Sequence, residues 1–287
     1  MYNIQYNPAR SRNLNAKICA EMNRLRRALE TPEGERGTLQ EGSSLNPSAI
    51  SKSYIAARSG RENGDRYRVN HSRPKEDVAV SITLDISGSM SSRIYHREGS
   101  AQTRALNKFF GENTAFTEVA YSSASLIQAF HNAKMKARLS LVKPGNREYF
   151  VGPAEAVVKD WDQPWTDSLT RSLIGYDPGK GTCLTDYAWC AIDPLLSRKE
   201  RHKIAIFMTD MADSNSSQQL DQLAKYALLN GIVLAGIGMD PNDSPRVQKA
   251  YNKCLPNAMH CTNADSFASS IVPFLIKSIR ARQNGLI

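Results

Sequence analysis

One short stretch of this sequence combines side chains that are able to hold a metal ion. Asp85, Ser87 and Ser89 stand at alternate positions near the end of VAVSITLDISGSM, residues 78–90. Side chains two apart in an extended segment point the same way, so we expect these three to converge on one point. Their hard oxygen atoms suit a hard divalent cation such as Mg²⁺. An isolated DxSxS pattern is also typical of a strand followed by an ordinary serine-glycine turn.

The sequence after residue 77 alternates between apolar runs and segments with helical periodicity. This pattern predicts an α/β fold with a doubly wound, mainly parallel central sheet flanked by helices, of the Rossmann-like kind. Strands are predicted at 78–85, 116–122, 203–209, 232–237 and 258–261, and helices at 101–110, 167–174, 184–196, 218–229 and 266–282. The sequence is compatible with two structures for segment 125–150. One is a hairpin with arms at 126–130 and 137–141, and the other is an inserted loop.

Two aspartates end predicted strands of this sheet. Asp85 closes the first strand, and Asp210 directly follows the strand at 203–209. In doubly wound sheets, binding sites form beyond the carboxyl ends of the strands, where the strand order reverses. The shared placement of the two aspartates therefore favours a metal site over a plain turn.

The first 77 residues have a different character. Apolar residues at three- and four-residue spacing predict an amphipathic helix at 12–30 with a basic far face, ending at Thr31-Pro32. Residues 33–73 are rich in Gly, Ser, Arg and Asn without sustained periodicity, which predicts an irregular arm. We therefore divide the chain into a basic N-terminal helix and arm at 1–77 and an α/β domain at 78–287.

Composition limits the class of protein. The 287 residues are 41% hydrophobic and 23% charged, as in globular proteins. The net charge of +9 predicts attraction to polyanions, either nucleic acid or an acidic protein surface. Five scattered cysteines without a CxxC pair predict reduced thiols, and no apolar run is long enough for a signal peptide or a membrane span. We therefore expect a cytoplasmic protein without membrane contact.

Three segments together resemble a metal-ion-dependent adhesion site: DISGSM at 85–90, GTCLTDYAW at 181–189 and IAIFMTDMADSNS at 204–216. Residues 78–282 thereby resemble a von Willebrand factor A domain. The resemblance implies that Mg²⁺, or another divalent cation such as Mn²⁺, is held by Asp85, Ser87, Ser89, Thr182 and Asp210. Thr185 is an alternative to Thr182 as a ligand. Three residues are candidates to contact and orient the ligands without binding the ion: Thr185, Asp186 and Asp213. Met211 replaces the glycine that usually follows the last aspartate.

Within that family, the chain is most similar to the C-terminal part of the CobT subunit of aerobic cobaltochelatase. Pro164-Trp165, Asp186, LLSR at 195–198 and MTDMA at 208–212 follow one another in the order of the CobT motifs. The resemblance implies a hexameric AAA+ ATPase of the CobS or MoxR type as partner. An acidic residue of that partner would complete the metal shell.

The ligand set also bears on the type of activity. Two carboxylates and three neutral hydroxyls are five ligands and cannot fill the six positions of an octahedral Mg²⁺ shell, so water completes it and one position stays exchangeable. Hydrolysis would need a base beside the metal-bound water, and no His or further acid has that spacing near the three segments. We therefore predict a non-catalytic interaction module. The alternatives are a subunit of a cobalt or magnesium chelatase acting on a tetrapyrrole, and a basic structural protein associated with nucleic acid.

Overall fold

The computed structural model describes residues 6–29, 78–91, 114–145, 152–174, 181, 183–210, 217–239, 252, 255 and 257–283, with short pieces at 38–39, 44–45, 51, 54–55, 58–59 and 67–68. They belong to two units, one comprising Met1–Leu29 and Glu76–Ile287 and the other Glu30–Lys75. The smaller unit contains an antiparallel sheet with the order β1-β3-β2, made of β1 (Thr38–Leu39), β2 (Ser44–Leu45) and β3 (Tyr67–Arg68). Whether a functional boundary lies at residue 77 stays a prediction.

The larger unit is built on a six-stranded sheet with the order β6-β5-β4-β7-β8-β9. Its strands are β4 (Val78–Asp85), β5 (Lys136–Lys143), β6 (Ala154–Lys159), β7 (His202–Thr209), β8 (Ile232–Met239) and β9 (Ala258–Cys261). All neighbours pair in parallel except β5 and β6, which are antiparallel. The chain builds outward from β4 first to one side and then to the other, so the strand order reverses at β4. The predicted mainly parallel α/β fold is confirmed.

Helices cover both faces of this sheet. They are α1 (Pro8–Leu29), α2 (Ala115–Asn132), α3 (Asp167–Ile174), α4 (Leu184–Leu196), α5 (Ser217–Leu229) and α6 (Ala264–Gln283). Successive side chains of a strand point to opposite faces. On β4, Val80 and Ile82 therefore belong to the hydrophobic cluster that includes α1, α2 and α6, whereas Ala79 belongs to the cluster that includes α4 and α5. None of the described helices is long and apolar enough to cross a lipid bilayer.

The predicted strand at 116–122 is wrong, because these residues belong to α2. Thr114 caps the start of this helix by accepting a hydrogen bond from the Thr117 backbone N–H at 3.1 Å. Nearly every residue of α2 is buried, including its small alanines and serines. A helix buried all round has no polar face, so its sequence lacks the amphipathic period on which the prediction relied. The predicted helix at 101–110 lies outside the described residues.

The segment that the sequence left open forms part of a hairpin with different arms. Residues 126–130 continue α2, whereas residues 137–141 lie within β5 as expected. The antiparallel partner of β5 is β6 (Ala154–Lys159), which no pattern in the sequence indicated. Most of β6 is solvent-exposed at the edge of the sheet, so its sequence shows no apolar run.

A buried carboxylate ties three helices together. Glu118 of α2 is fully buried and accepts two hydrogen bonds from the Arg10 guanidinium of α1, at 2.7 and 2.6 Å. It also accepts a hydrogen bond from the backbone N–H of Ala264, the first residue of α6, at 2.7 Å. Helix α1 therefore belongs to the same packed unit as the sheet, and its apolar face covers α2 and α6 with Leu14, Ile18, Met22 and Leu25.

Replacing Glu118 should destabilise the fold. The Glu118→Ala substitution leaves Arg10 and the Ala264 N–H without their acceptor. We expect the free energy of unfolding to fall by about 3 kcal/mol. This value is at the lower end of the range for breaking a buried ion pair, because the Arg10 side chain is still 23% exposed to solvent. Urea denaturation measures this change. Asp221→Asn, which breaks an exposed pair with Lys225 on α5, serves as control and should cost at most about 0.5 kcal/mol. Equal losses in the two variants would contradict the role of Glu118.

Candidate metal centre

The two strand-end aspartates lie at neighbouring positions of the sheet. Strands β4 and β7 are adjacent and parallel, with Leu84 opposite Met208. Asp85 is the next residue of β4, and Asp210 follows β7 two residues beyond Met208. The sheet therefore brings both residues to its carboxyl edge, at the point where the strand order reverses. Asp85 is fully buried there, whereas Asp210 is partly exposed.

Asp85, Ser87 and Ser89 come together through a turn. Strand β4 ends at Asp85, and a 3₁₀ turn follows at Gly88–Ser91. The backbone N–H of Ser87 donates to Asp85 Oδ1 at 2.6 Å, which folds the chain back towards the carboxylate. The hydroxyl oxygens of Ser87 and Ser89 lie 2.9 Å apart. A turn closed by this hydrogen bond, rather than a continuous extended segment, therefore gathers the three side chains.

Thr209 connects the two strands at the site. Its Oγ1 donates to Asp85 Oδ2 at 2.7 Å, so both carboxylate oxygens of Asp85 accept a hydrogen bond from the protein. Sequence reasoning did not assign Thr209 to the site. The available signal was its position at the end of β7, directly before Asp210. A strand-end hydroxyl beside a strand-end carboxylate is placed to support it.

Burial controls the charge of Asp85. Removal from water raises the pKa of this carboxyl from its ordinary 3.8 to about 6, and the polar groups of Thr209, Tyr187 and Ser87 around it offset part of the rise. Among the described residues, no Lys, Arg or His forms an ion pair with Asp85. The carboxylate is thus buried among neutral donors, which is a setting where an added cation lowers its free energy.

Tyr187 is a further residue that sequence reasoning missed. It lies in the first turn of α4 and is fully buried. Its backbone carbonyl accepts a hydrogen bond from Thr83 Oγ1 at 2.9 Å, which ties α4 to β4 two residues before Asp85. Burial and the nearby Asp85 charge both raise the pKa of the Tyr187 phenol. No sequence signal marks this residue, because its position depends on how α4 packs on β4.

The remaining predicted residues have varied placements. Thr182 and Asp213 lie outside the described residues, so the choice between Thr182 and Thr185 stays open. Thr185 is buried on α4, with its Oγ1 3.1 Å from Cys183 Sγ. Asp186 Oδ2 accepts a hydrogen bond from the Gly145 backbone N–H at 2.8 Å, so it holds the segment after β5.

The donor set fits a hard divalent cation. The described part of the chain contains no group of three or more His, Cys, Asp and Glu placed to hold a metal ion. The oxygen atoms gathered at the edge of β4 and β7 are instead one buried carboxylate and the hydroxyls of two serines. Such neutral oxygen donors together with carboxylates suit Mg²⁺ or Mn²⁺ rather than a soft metal.

Comparisons with known proteins extend only to the fold. No family model matches this chain, and no curated protein matches it either. Among solved structures, the PilB minor pilin of Streptococcus sanguinis is 14% identical with a TM-score of 0.46, over 78% of this chain and 66% of that one. Proximal thread matrix protein 1 of the mussel byssus is 12% identical with a TM-score of 0.46, over 71% of this chain and 47% of that one.

A third solved structure with a similar fold is the von Willebrand A domain of SpRpn10. It is 13% identical with a TM-score of 0.43, over 68% of this chain and 93% of that one. One structure of the mussel byssus protein is described with zinc in its metal-ion-dependent adhesion site motif. The chain spans 66% of the PilB pilin and about half, 47%, of the byssus protein. Similarities this low transfer neither a residue role nor a ligand.

The buried Asp85 predicts an unusual pH dependence of stability in metal-free protein. Because its pKa is about 6 in the folded chain and 3.8 as an ordinary value, the folded state binds the proton more tightly. The resulting stabilisation is complete below about pH 4 and is lost as the pH rises through 6. Its size is about 3 kcal/mol.

Urea denaturation in the presence of a chelator between pH 4 and pH 7 measures this effect. Asp85→Asn cannot titrate at this position, so subtracting its pH profile from that of the wild type isolates Asp85 from the other carboxyls. We expect the difference in unfolding free energy to change by about 3 kcal/mol in favour of the variant as the pH rises. Parallel profiles of the two proteins would show that Asp85 is not a buried, proton-binding group.

Proposed function

We propose that this chain is a metal-dependent protein-interaction module of the von Willebrand factor A type. The observation that carries the proposal is the fully buried Asp85, which has only neutral described donors and lies beside the Ser87–Ser89 hydroxyl pair. A buried carboxylate without a countercharge is costly in free energy unless a cation offsets it. The site lies at the carboxyl edge of the sheet, where such folds bind ligands.

The residues that would hold the ion are Asp85, Ser87, Ser89 and Asp210, with either Thr182 or Thr185. Both oxygens of Asp85 already accept hydrogen bonds from the protein, so this carboxylate contributes charge with only part of its lone-pair capacity. The serine and threonine hydroxyls are neutral. A bound divalent cation therefore keeps an attraction for a further carboxylate, and an acidic residue of a partner protein would supply it.

The partner that we propose is a hexameric AAA+ ATPase of the CobS or MoxR type, in a cytoplasmic assembly. This finer proposal rests on the sequence resemblance to CobT. The exposed side of α1 adds a physical argument, because it carries Arg12, Lys17, Arg24 and Arg26. Lys17 and Arg24 pair with Asp265 and Glu21 respectively. The basic surface left on α1 suits an acidic partner surface.

Loss of the Asp85 charge should weaken metal binding. We expect isothermal titration calorimetry to show Mg²⁺ and Mn²⁺ binding to the wild-type chain. Asp85→Asn preserves the shape of the side chain and should reduce the affinity at least about tenfold. Asp221→Asn on the exposed side of α5 removes the same charge elsewhere and should bind as the wild type does. Unchanged affinity in Asp85→Asn, or a wild type that binds neither ion, would refute the metal site.

The partner should depend on the metal. In affinity capture from the native host, we expect the wild-type chain to retain a hexameric ATPase with Mg²⁺ and to lose it with EDTA. Asp85→Asn should lose it in both conditions. Retention of nucleic acid in both conditions, with an affinity that falls steeply with salt, would instead favour the nucleic-acid function and overturn the proposed partnership.

A further inference from the structure

The hydroxyl of Tyr187 is a buried polar group without a partner. Tyr187 is fully buried, and among the described residues its hydroxyl oxygen makes no hydrogen bond. The groups that act on this hydroxyl electrostatically are Asp85 and Ser87, two of the proposed metal-site residues. A buried hydroxyl that has lost its water without gaining a partner destabilises the fold. Its presence next to a metal site therefore needs an explanation.

The position of Tyr187 is fixed by its backbone. Thr83 and Asp85 alternate on β4, so their side chains lie on the same face of the sheet. Thr83 Oγ1 holds the Tyr187 carbonyl at 2.9 Å, which places the first turn of α4 directly over this polar face. The aromatic ring belongs to the apolar cluster between the sheet, α4 and α5. Phenylalanine would fill that space equally well, so packing alone does not account for the hydroxyl.

Other buried hydroxyls without partners do not share this setting. Ser122 and Ser125 lie within α2, Ser140 lies on β5, and Ser81 lies on β4 four residues before Asp85. A serine inside a helix is close to the carbonyl oxygens of its own preceding turn and needs only a rotation to reach them. Tyr187 has no such local acceptor, because its hydroxyl lies at the end of a rigid ring. The Asp85 carboxylate is the neighbouring group that acts on it most strongly.

We propose that Tyr187 is a positioning residue of the metal centre, whose hydroxyl donates a hydrogen bond to the ionised Asp85 carboxylate. The inference rests on the function proposed above. With the hydrogen bonds from Ser87 and Thr209, Tyr187 would be the third donor that fixes the orientation of this carboxylate. Outer groups of this kind hold metal ligands in place and support their affinity. Helix α4 would thereby couple to the strand end of β4 through a side chain as well as through its backbone.

The Tyr187→Phe substitution tests this inference because it removes only the hydroxyl. We expect its Mg²⁺ affinity, measured by calorimetry, to fall about tenfold. In the presence of EDTA, its circular dichroism spectrum should match that of the wild type, because phenylalanine fills the same apolar space. A merely structural tyrosine would change the metal-free stability and leave the Mg²⁺ affinity unaltered.

Tyr121→Phe provides a matched control with the opposite expectation. Tyr121 is also buried, but its hydroxyl accepts a hydrogen bond from the Asn7 backbone N–H at 2.7 Å, at the start of α1. This substitution should lower the thermal midpoint in EDTA and leave Mg²⁺ affinity unchanged. In wild-type protein with ¹³C-labelled tyrosine, Mg²⁺ should shift the Tyr187 ring resonance and leave that of Tyr121 in place.

The possible outcomes separate the two proposals. If the wild type binds Mg²⁺ and Tyr187→Phe binds it equally well, the role of Tyr187 is overturned while the metal site stands. If the wild type binds no Mg²⁺, the proposed function fails and the role of Tyr187 fails with it. A loss of affinity in Tyr187→Phe but not in Tyr121→Phe supports both.

Discussion

A carboxylate at the centre of the sheet is the constraint around which this structure is arranged. Asp85 closes the strand on which the sheet order reverses, and it is fully buried in the folded chain. In place of water, the backbone N–H of Ser87 and the hydroxyl of Thr209 donate hydrogen bonds to its carboxylate. The Thr209 hydroxyl can reach Asp85 only because β4 and β7 are adjacent and parallel, with their ends level. The fold thus has to place two strands correctly before this one side chain is tolerated.

Among the residues that the structure describes, two carboxylates are fully buried, and their charges are accommodated in opposite ways. Glu118 receives the guanidinium of Arg10 and a backbone N–H, so its charge is balanced from within the chain and its effect is structural. Asp85 receives hydrogen bonds from neutral donors among the described residues, and in the proposed function an external cation balances its charge. A packed core tolerates a charge that is balanced in this way, whereas an unbalanced buried charge favours the binding of a counter-ion. Under the proposed function, this contrast distinguishes a structural carboxylate, Glu118, from a metal-binding one, Asp85.

Sequence patterns predicted the elements whose burial follows a simple period. The continuous apolar runs of β4, β7 and β8, and the one-sided apolar face of α1, lie where they were expected. Helix α2 was missed because it is buried on all sides, and β6 because it is exposed at an edge. At the site, Asp85, Ser87 and Ser89 are close together in sequence, so their spacing could be recognised from the sequence alone. Thr209 contacts Asp85 from 124 residues away in the sequence, and Tyr187 contacts the strand of Asp85 across 104 residues. Only the tertiary packing determines such contacts.

The packing of α1 against α6 has a consequence for how the chain acquires its structure. The first helix leaves the ribosome early, but part of the surface that covers Leu14, Ile18 and Met22 belongs to the last helix. During synthesis, these apolar side chains therefore lack part of their cover until the strands of the sheet have been translated. Contacts between such distant segments close late and slowly, and exposed apolar surface invites association with other chains in the meantime. Nascent-chain protection by chaperones should thus matter more for the first thirty residues or so than for the sheet itself.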